Sequence, residues 1–528
     1  MKRGFRRADL KFLAVILVLL AMGADCAPLE AASGRPAGAN LSSATQIQVD
    51  WEKTNGNGPD YYGVEYTWVD QDRDLFLERY RLLKPNLLRV QITQEYIEPA
   101  NDNADPQLSQ INFNLTLPLD TQSGKTLTHR DLFTSLGAEF PEMHFHLNIW
   151  LAARWNAANP DGYLGLGGAF PPLNSAEHGE FVRELARWLV ETCEIAPDRL
   201  SFSFVNEPNL KSFFTGNQAD LITMAQVTRA ALDQVSPQIQ MMGLDEVHGA
   251  GWTDSFYPNR PAGCCDAWTY HAYERGIGSL WSAMQTRAGH LSTYGPVWVT
   301  EFADTANGSP DAGMNFSTPQ AALGFARVLG RLWSSGIDGL VHFRLSDTYT
   351  DMEPLNGWAG HGLFADWRGT KSNGKPYAIY PAFWVFANFY NEMAGGQVSG
   401  VAAPPDLEVA AARHQEPQHP CLVLWVTNPT QNAYSTQVEV TNFPLPEASV
   451  EILDNLAGNA PIGGQTSGMV TSQIANRFAH SINLQLPANS SYTVKWFEPA
   501  RGSCSATPEG DPSMNRRLFL PLTFGIRD

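Results

Sequence analysis

The sequence predicts an α/β protein: a (β/α)8 TIM barrel followed by a C-terminal antiparallel β-sandwich domain. Three observations lead to this prediction. Short apolar, strand-like segments alternate with helical patterns across residues 61–395. Eight such strands can be counted, the number that closes a barrel of this kind. After residue 396 the helical periodicity stops, and short strands separated by turn residues follow.

The eight barrel strands are expected at Gly63–Trp68, Leu87–Ile92, Met143–Trp150, Leu200–Val205, Gln240–Leu244, Ala267–Tyr273, Val297–Glu301 and Leu340–Leu345. The main alternative architecture for such alternating strands and helices is a doubly wound open sheet. A dinucleotide-binding open sheet carries G-x-G-x-x-G directly after its first strand. The first strand here lacks that pattern, and the glycine-rich run Gly165–Gly168 follows the third strand instead. The barrel is therefore the preferred prediction.

Helices between the strands are indicated by apolar residues three and four positions apart. One such pattern covers Ala176–Glu191 and is preceded by Asn174, a residue that favours the start of a helix. Another is expected from Thr318 to about Ser335, where proline occupies the first turn. Gly336 is expected to end that helix.

Residues 1–26 are predicted to be a secretory signal peptide. Five basic residues among the first eleven precede the apolar run Phe12–Met22, which is too short for a comfortable membrane span. Cys26 is a candidate for lipid attachment, but Asp25 directly before it disfavours that modification. The mature chain is expected to be secreted or extracytoplasmic. The remaining apolar runs of the sequence are all too short to span a bilayer.

The rest of the chain divides into four predicted regions. Residues 27–60 form an N-terminal segment with one strand, Thr45–Trp51. The barrel covers 61–395, the β-sandwich 396–500, and a linker with a C-terminal tail 501–528. Up to two disulfides are expected, with Cys421 and Cys504 as the preferred pair because both lie in the C-terminal region. The sequence has no C-x-x-C motif, so structural zinc is not expected.

Charge and composition exclude several classes of function. The formal net charge is −18, and 17% of the residues are charged. An acidic chain without basic runs after its first residues disfavours nucleic acid and anionic membrane surfaces as partners. The hydrophobic content of 43% excludes a disordered chain. A neutral or cationic small molecule is the favoured partner.

Two glutamates stand where reactive groups of such barrels are found, at the carboxyl ends of strands. The fourth predicted strand ends in Asn206, Glu207 and Pro208, and the seventh ends in Glu301. A lone glutamate at a strand exit is commonly a helix cap or a surface group. Two carboxylates that face one cleft are what glycoside cleavage requires, one to protonate the leaving oxygen and one to attack the anomeric carbon or activate water.

These strand ends resemble those of the clan A glycoside hydrolases. The run Asn206–Leu210 and the run Thr300–Phe302 are most similar to family 39, with families 5 and 30 close. The resemblance covers roughly residues 60–395. It implies that Glu207 is the general acid/base and Glu301 the nucleophile. Members similar to family 39 also carry a β-sandwich partly built from an N-terminal strand, which would account for Thr45–Trp51.

The same resemblance implies substrate-binding roles for other residues near the strand ends. Asn206 would hydrogen-bond the sugar 2-hydroxyl, a contact that can strengthen in the transition state. Arg89 would lie beside Glu301 and favour its ionised form. His271 and Tyr273 lie two positions apart and so share one face of their strand. Tyr273 would hydrogen-bond Glu301, and His271 would orient the substrate.

Two further strands supply expected sugar contacts. The third strand alternates, and His146 and Asn148 are on its polar face, where clan members hold sugar hydroxyls. The eighth strand departs from the clan, which often has a tryptophan near its end as the floor for the sugar ring. Phe343, or Trp358 from the next loop, is expected in that place.

The sequence thus predicts a secreted retaining β-glycosidase that needs neither metal nor cofactor and acts on a carbohydrate substrate. The two carboxyl groups are expected roughly 5–5.5 Å apart. The sequence does not distinguish among xylosides, glucans, mannans and other β-linked glycans as substrates, and no oligomeric state is predicted. A non-catalytic carbohydrate-binding or surface protein on the same scaffold is the alternative.

A metal-dependent amidohydrolase is a less favoured alternative. His144 and His146 have the His-x-His spacing of a metal site, and His271 and Asp347 are candidates to complete it. That family places the pair on the first strand of the barrel, whereas here it is on the third.

Overall fold

The structure is a computed structural model. It describes residues 45–66, 73–114, 128–274, 277–304, 318–347, 361–366, 374–416, 419–445, 447–456, 470–476 and 481–498. The predicted signal peptide 1–26, the tail 501–528 and Trp358 lie outside the described residues.

The described strands, in chain order, are β1 (Thr45–Asn57), β2 (Tyr61–Tyr66), β3 (Leu87–Thr93), β4 (His144–Leu151), β5 (Ala157–Asn159), β6 (Ala169–Pro172), β7 (Leu200–Ser203), β8 (Gln240–Met242), β9 (Glu246–Val247), β10 (Trp268–Glu274), β11 (Val297–Asp304), β12 (Gly339–His342), β13 (Gln397–Ala402), β14 (Glu408–Glu416), β15 (His419–Asn428), β16 (Tyr434–Thr441), β17 (Ala448–Asp454), β18 (Val470–Asn476), β19 (Ser481–Leu486) and β20 (Ser490–Phe497).

The described helices are α1 (Arg73–Leu83), α2 (Gln94–Ile97), α3 (His129–Glu139), α4 (Ser175–Glu191), α5 (Gln218–Val235), α6 (Gly251–Phe256), α7 (Ile277–Leu291), α8 (Pro319–Leu332) and α9 (Pro381–Asn388). A π-helical turn at Phe389–Met393 continues α9. None of these helices combines the length and apolarity that crossing a bilayer requires.

The predicted barrel is confirmed. Its parallel strands pair in the order β8, β7, β4, β3, β2, β12, β11, β10, β9. The two end strands, β8 and β9, belong to one stretch of chain. Met242 at the end of β8 bridges Ala267, just before β10, and the amide of Gly243 donates to the carbonyl of Ala267 at 2.9 Å. Both ends of the sheet therefore meet at residues 240–247, and eight strand positions form a closed ring.

Local sequence explains where the helices around the barrel begin and end. The side chain of Asn174 accepts the amide of Ala176 and caps α4, as expected for an asparagine before a helix. The side chain of Thr318 caps α8 in the same way, before the proline of its first turn. Gly336 has φ 75°, a left-handed conformation that stops a helix at little cost only for glycine.

The second sheet has nine strands in the order β18, β17, β20, β15, β14, β13, β1, β16, β19. Its neighbours are antiparallel except for β1 and β16, which run parallel. The apolar residues on one face form a core of their own, separate from the barrel core. The strand expected at Thr45–Trp51 extends to Asn57 as β1 and lies inside this sheet.

The opposite face of the sheet packs on the barrel through helix α8. The indole of Trp425 donates to the carbonyl of Ala326 at 2.9 Å, and the indole of Trp333 donates to the carbonyl of Ala411 at 2.9 Å. Arg327 and Arg331 both bind Glu408. These contacts join the two domains by buried aromatic rings and an ion-pair cluster at their edge.

Cys264 and Cys265, which are adjacent in the chain, form a disulfide with each other. Cys421 is also in a disulfide. Its predicted partner Cys504 lies outside the described residues, so that pairing stays a prediction. Cys193 is a buried free thiol.

Candidate active site

The candidate site lies at the carboxyl ends of the barrel strands, where several buried polar groups converge. Glu207 follows β7 and has φ 43°, a left-handed conformation that is uncommon for a residue with a side chain. Its amide donates to the carbonyl of Asp245 at 3.2 Å. The backbone turn after the fourth barrel strand is thus tied to the end of the fifth.

Glu207 and Glu301 meet across the imidazole of His271. Its Nδ1 lies 2.7 Å from Oε1 of Glu207 and 3.4 Å from Oε2 of Glu301. A carboxylate oxygen of each glutamate and a ring nitrogen of His271 all lie within 4.8 Å of one another. Two carboxylates that are 94 positions apart in the chain therefore face a single small space.

Arg89 organises the other side of Glu301. It is fully buried on β3, and its Nη1 donates to Oε1 of Glu301 at 2.5 Å. Its Nη2 donates to Oδ1 of Asn206 at 3.1 Å and lies 3.5 Å from Oδ2 of Asp245. One guanidinium thus connects the ends of the second, fourth, fifth and seventh barrel strands.

Tyr273 and Phe343 border the site. The hydroxyl of Tyr273 donates to Oε2 of Glu301. The ring of Phe343 lies edge-on to the ring of Tyr273 at 5.6 Å and packs against His361 at 5.7 Å. Phe343 is 5% exposed, so its ring is almost completely covered by neighbouring residues at this end of the barrel.

Burial and neighbouring charges shift the pKa values of three groups. Burial raises the pKa of Glu207 above its ordinary value, and the charge of Glu301 adds to the shift. Burial alone would lower the pKa of His271, but the carboxylates of Glu301 and Glu207 outweigh it and raise that pKa. Burial would raise the pKa of Asp245, yet the charges of Arg89 and His271 hold it below the ordinary value.

His146 and Asn148, predicted as sugar contacts, both point into the barrel interior. The ring nitrogens of His146 bond to the hydroxyls of Ser201 and Ser203 at 3.0 and 3.2 Å. Asn148 donates to Oδ2 of Asp245 at 2.7 Å. Both ring nitrogens of His146 are thus engaged by hydrogen bonds inside the protein.

Sequence reasoning missed two residues of this cluster, Asp245 and Glu65. Asp245 accepts hydrogen bonds from Asn148 and, at 2.6 Å, from the hydroxyl of Thr300. Glu65 lies on β2 and contacts Arg89. Asp245 follows the fifth strand as Glu207 follows the fourth, so the same strand-end argument would have found it. Glu65 could have been found because it is a charged residue within the otherwise apolar strand β2, which indicates a buried charge with a partner.

The alternative metal site is not assembled in the structure. Among the described residues, the group whose ligand atoms lie close enough together for a metal consists of Glu207, His271 and Glu301. His144 bonds to Ser201 at 2.9 Å, and Asp347 accepts from the hydroxyl of Tyr380 at 2.7 Å. The His-x-His spacing on β4 therefore serves hydrogen bonds of the barrel interior.

Fold and site together define a class of protein: a closed (β/α)8 barrel with two buried glutamates paired at the carboxyl ends of its strands and an attached β-sheet domain. Comparison with known proteins makes the class specific. Residues 201–322, which carry both glutamates, match the family model described as glycosyl hydrolase catalytic core. None of the curated proteins compared matches the sequence of this chain.

Solved structures of similar fold include several glycoside hydrolases. A β-xylosidase from Caulobacter crescentus CB15 is 14% identical with a TM-score of 0.61, covering 86% of this chain and 100% of that one. A family 39 enzyme from Xanthomonas axonopodis pv. citri is 13% identical with a TM-score of 0.58, covering 88% and 99%. A family 30 endoxylanase from Clostridium papyrosolvens C71 is 13% identical with a TM-score of 0.56, covering 86% and 100%.

At these identities the solved structures establish a shared fold. The family model adds the catalytic core on the segment from the fourth to the seventh strand. The predicted resemblance to glycoside hydrolases is confirmed by this family model, and the structures of family 39 and 30 enzymes share the fold of the chain. The predicted enzyme class, an O-glycoside hydrolase, is supported by the match of residues 201–322.

Proposed function

We propose that the protein is a retaining β-glycosidase that uses Glu207 as general acid/base and Glu301 as nucleophile. Glu207 gives its proton to the glycosidic oxygen while Glu301 attacks the anomeric carbon. The bond to the leaving group breaks, and a glycosyl ester of Glu301 forms. Glu207, now a carboxylate, takes a proton from water, which attacks the same carbon and releases the sugar with its original anomeric configuration.

The observation that carries this proposal is the short separation of the two glutamates, which have carboxylate oxygens within 4.8 Å of each other. Retaining enzymes have carboxyl groups about 5–5.5 Å apart, and inverting enzymes leave about 6.5–9.5 Å for a water molecule. The raised pKa of Glu207 supports its role as the acid, because a general acid must keep its proton near the working pH.

The neighbours of Glu301 support its role as the nucleophile. Arg89 donates to one of its oxygens and Tyr273 to the other, so the carboxylate is held in one orientation. Oδ1 of Asn206 is occupied by Arg89, which leaves the amide nitrogen of Asn206 to donate to a sugar hydroxyl. Phe343, which lies beside Tyr273, is the described aromatic residue that we propose as the floor of the sugar site.

We propose a β-linked neutral glycan or oligosaccharide as the substrate. Proteins of similar fold include a β-xylosidase, an endoxylanase and a glucosidase from Croceicoccus marinus, so aryl β-xylosides and β-glucosides are the first substrates to test. The net charge of −18 disfavours polyanionic glycans.

The decisive experiment combines product stereochemistry with two variants. NMR of the first-formed product should show the β-anomer. Glu301→Ala should abolish turnover of every substrate. Glu207→Ala should keep activity on aryl glycosides with good leaving groups, because these need no proton, and azide should restore its turnover by replacing the water.

Glu139→Ala is the matched control, since this glutamate lies on the surface helix α3 and binds Arg81. It should behave as the parent enzyme in all assays. A first-formed α-anomer, or equal losses in both active-site variants without azide rescue, would contradict the retaining assignment. Binding of glycans without hydrolysis of any aryl glycoside would support the carbohydrate-binding alternative instead.

We also propose that the protein is exported and processed after a signal peptide within residues 1–26. Five basic residues before Phe12–Met22 support this, as do the disulfides at Cys264–Cys265 and Cys421, because disulfides persist in oxidising compartments. Mass spectrometry of protein recovered outside the cytoplasm should show a new N-terminus near residue 26. A full-length cytoplasmic product would refute this part of the proposal.

A further inference from the structure

A third carboxyl group lies beside the two glutamates and has no part in the steps above. Glu65 is on β2, fully buried, and directly opposite Arg89 in the pairing of β2 with β3. Its Oε2 accepts from Nη1 of Arg89, the same nitrogen that donates to Glu301. A single nitrogen of the guanidinium thus holds both Glu65 and the proposed nucleophile.

Only one of the two carboxyl oxygens of Glu65 has a hydrogen-bond partner among the described residues. Its Oε1 is buried and has no hydrogen-bond partner among the described residues. Three carboxyl groups, those of Glu65, Asp245 and Glu301, bind Arg89. An ionised buried carboxylate with one oxygen unpaired carries a large desolvation cost. Protonation of that oxygen removes the charge contribution and leaves the smaller cost of an unpaired hydroxyl.

We propose that Glu65 is a positioning residue held as a neutral carboxylic acid, which fixes Nη1 of Arg89 against Glu301 without taking up the charge of the arginine. Its Oε2 provides the acceptor and its Oε1 bears the proton. This inference rests on the proposed function, since it assigns Arg89 to the nucleophile.

The surroundings of Glu65 agree with the neutral form. The charged or titratable groups that face it are Arg89 from β3, Tyr273 from β10, Glu301 from β11 and Arg344 after β12. Burial raises the pKa of Glu65 well above its ordinary value, although the charge of Arg89 opposes that shift. This direction favours the protonated form of Glu65, which leaves the charge of Arg89 to Glu301 and Asp245.

The test compares two substitutions of Glu65, one that keeps a side-chain oxygen to accept from Arg89 and one that removes it. Glu65→Gln is neutral and keeps an oxygen for Arg89, so the rate of glycosyl-enzyme formation should stay within about threefold of the parent. Glu65→Ala removes one of the two acceptors of Nη1, so the guanidinium is no longer fixed against Glu301 from the side of β2. That rate should fall roughly 100-fold, the usual effect of a displaced catalytic group. KM should change far less than kcat.

The reaction to follow is the covalent trapping of Glu301 by a 2-deoxy-2-fluoro aryl β-glycoside, monitored by release of the aryl alcohol and by the mass increase of the protein. Glu180→Gln is the matched control. Glu180 is a buried acid on α4 whose pKa burial raises to about 8, and the described groups that act on it are Asp102, Glu177 and Glu98 rather than Arg89. Thermal unfolding of all variants shows whether a lost rate reflects lost structure.

A second measurement is independent of activity. The infrared difference spectrum between the parent and Glu65→Gln at neutral pH should show loss of a carbonyl band of a neutral carboxylic acid. Loss of an ionised carboxylate band instead would overturn the proposal, as would a folded Glu65→Gln that traps the reagent as slowly as Glu65→Ala, or a Glu65→Ala as fast as the parent. Absence of trapping in the parent itself would contradict the proposed function, and the spectrum would still decide the state of Glu65.

Discussion

Asp245 provides the sharpest prediction about the polar cluster, because its carboxylate connects four elements of the barrel without facing the reaction directly. Its two oxygens accept from Asn148 at 2.7 Å and from Thr300 at 2.6 Å, and Arg89 lies 3.5 Å away. The variant Asp245→Asn keeps the shape of the side chain and one acceptor oxygen. It removes the charge and one of the two short hydrogen bonds.

The expected cost follows from these contacts. A buried hydrogen bond to a charged group contributes about 1.5–3 kcal/mol, and breaking a buried ion pair costs about 3–5 kcal/mol. Arg89 keeps Glu65 and Glu301 as partners, so only part of the second cost applies. We expect Asp245→Asn to lower the free energy of unfolding by about 2–4 kcal/mol. The thermal midpoint should fall by roughly 3–6 °C, because the unfolding entropy of a barrel of about 335 residues is roughly 0.7 kcal/mol/K.

The loss of stability should also depend on pH. The folded-state pKa of Asp245 lies below the ordinary value, so the stabilisation that its charge supplies is complete above the pKa of an unfolded aspartate, about 3.9. It is lost as the pH falls through the folded-state pKa. The difference between the parent and Asp245→Asn should be constant near neutral pH and shrink below about pH 4.

Urea unfolding across this pH range tests the prediction, and kcat/KM should fall about 100-fold because Arg89 loses one anchor. Asp254→Asn is the control, since Asp254 is an exposed residue of α6 whose partners are on the surface. Its effect should stay within about 0.5 kcal/mol. Equal stability of Asp245→Asn and the parent at neutral pH would refute the reasoning.

Three further predictions concern the site and the domain contact. Tyr273→Phe removes the hydroxyl that donates to Glu301, so glycosylation should slow by about 10²-fold in stopped-flow assays while KM stays similar; an unchanged rate would contradict the contact. Because the pKa of Glu207 is raised, kcat/KM for poor leaving groups should decline only above the pH at which an ordinary glutamate ionises, and Glu207→Ala should lose that alkaline limb. Glu408→Ala removes the carboxylate that binds both Arg327 and Arg331. It should lower the free energy of unfolding in urea by about 1–2 kcal/mol without changing kcat. A loss of kcat would contradict this prediction, because it would indicate a coupling between the domains that these contacts do not explain.

Much of the scaffold was predictable from the sequence because its signals are local. Apolar runs of four to eight residues, separated by amphipathic segments, identify the barrel strands in the correct order. Asn174 and Thr318 mark helix starts by capping chemistry that is independent of the tertiary structure. The strand-end position of Glu207 and Glu301 follows from the same pattern, since parallel strands present their carboxyl ends at one face.

Interactions between strands that are distant in sequence were decided only by the tertiary structure. The contact of Glu65 with Arg89 depends on the register of β2 against β3, and the position of β1 parallel to β16 depends on how two distant segments pair. The disulfide between Cys264 and Cys265 joins adjacent residues. It was not predicted either, because sequence alone does not determine cysteine connectivity.

The sequence alone therefore determined the class of barrel and the two acids at its mouth, because burial and strand periodicity act over a few neighbouring residues. The electrostatic cluster around Arg89 was decided by closure of the barrel, which brings the ends of β3, β7, β10 and β11 to one point. Charges act through space, so their partners are known only when the chain has folded.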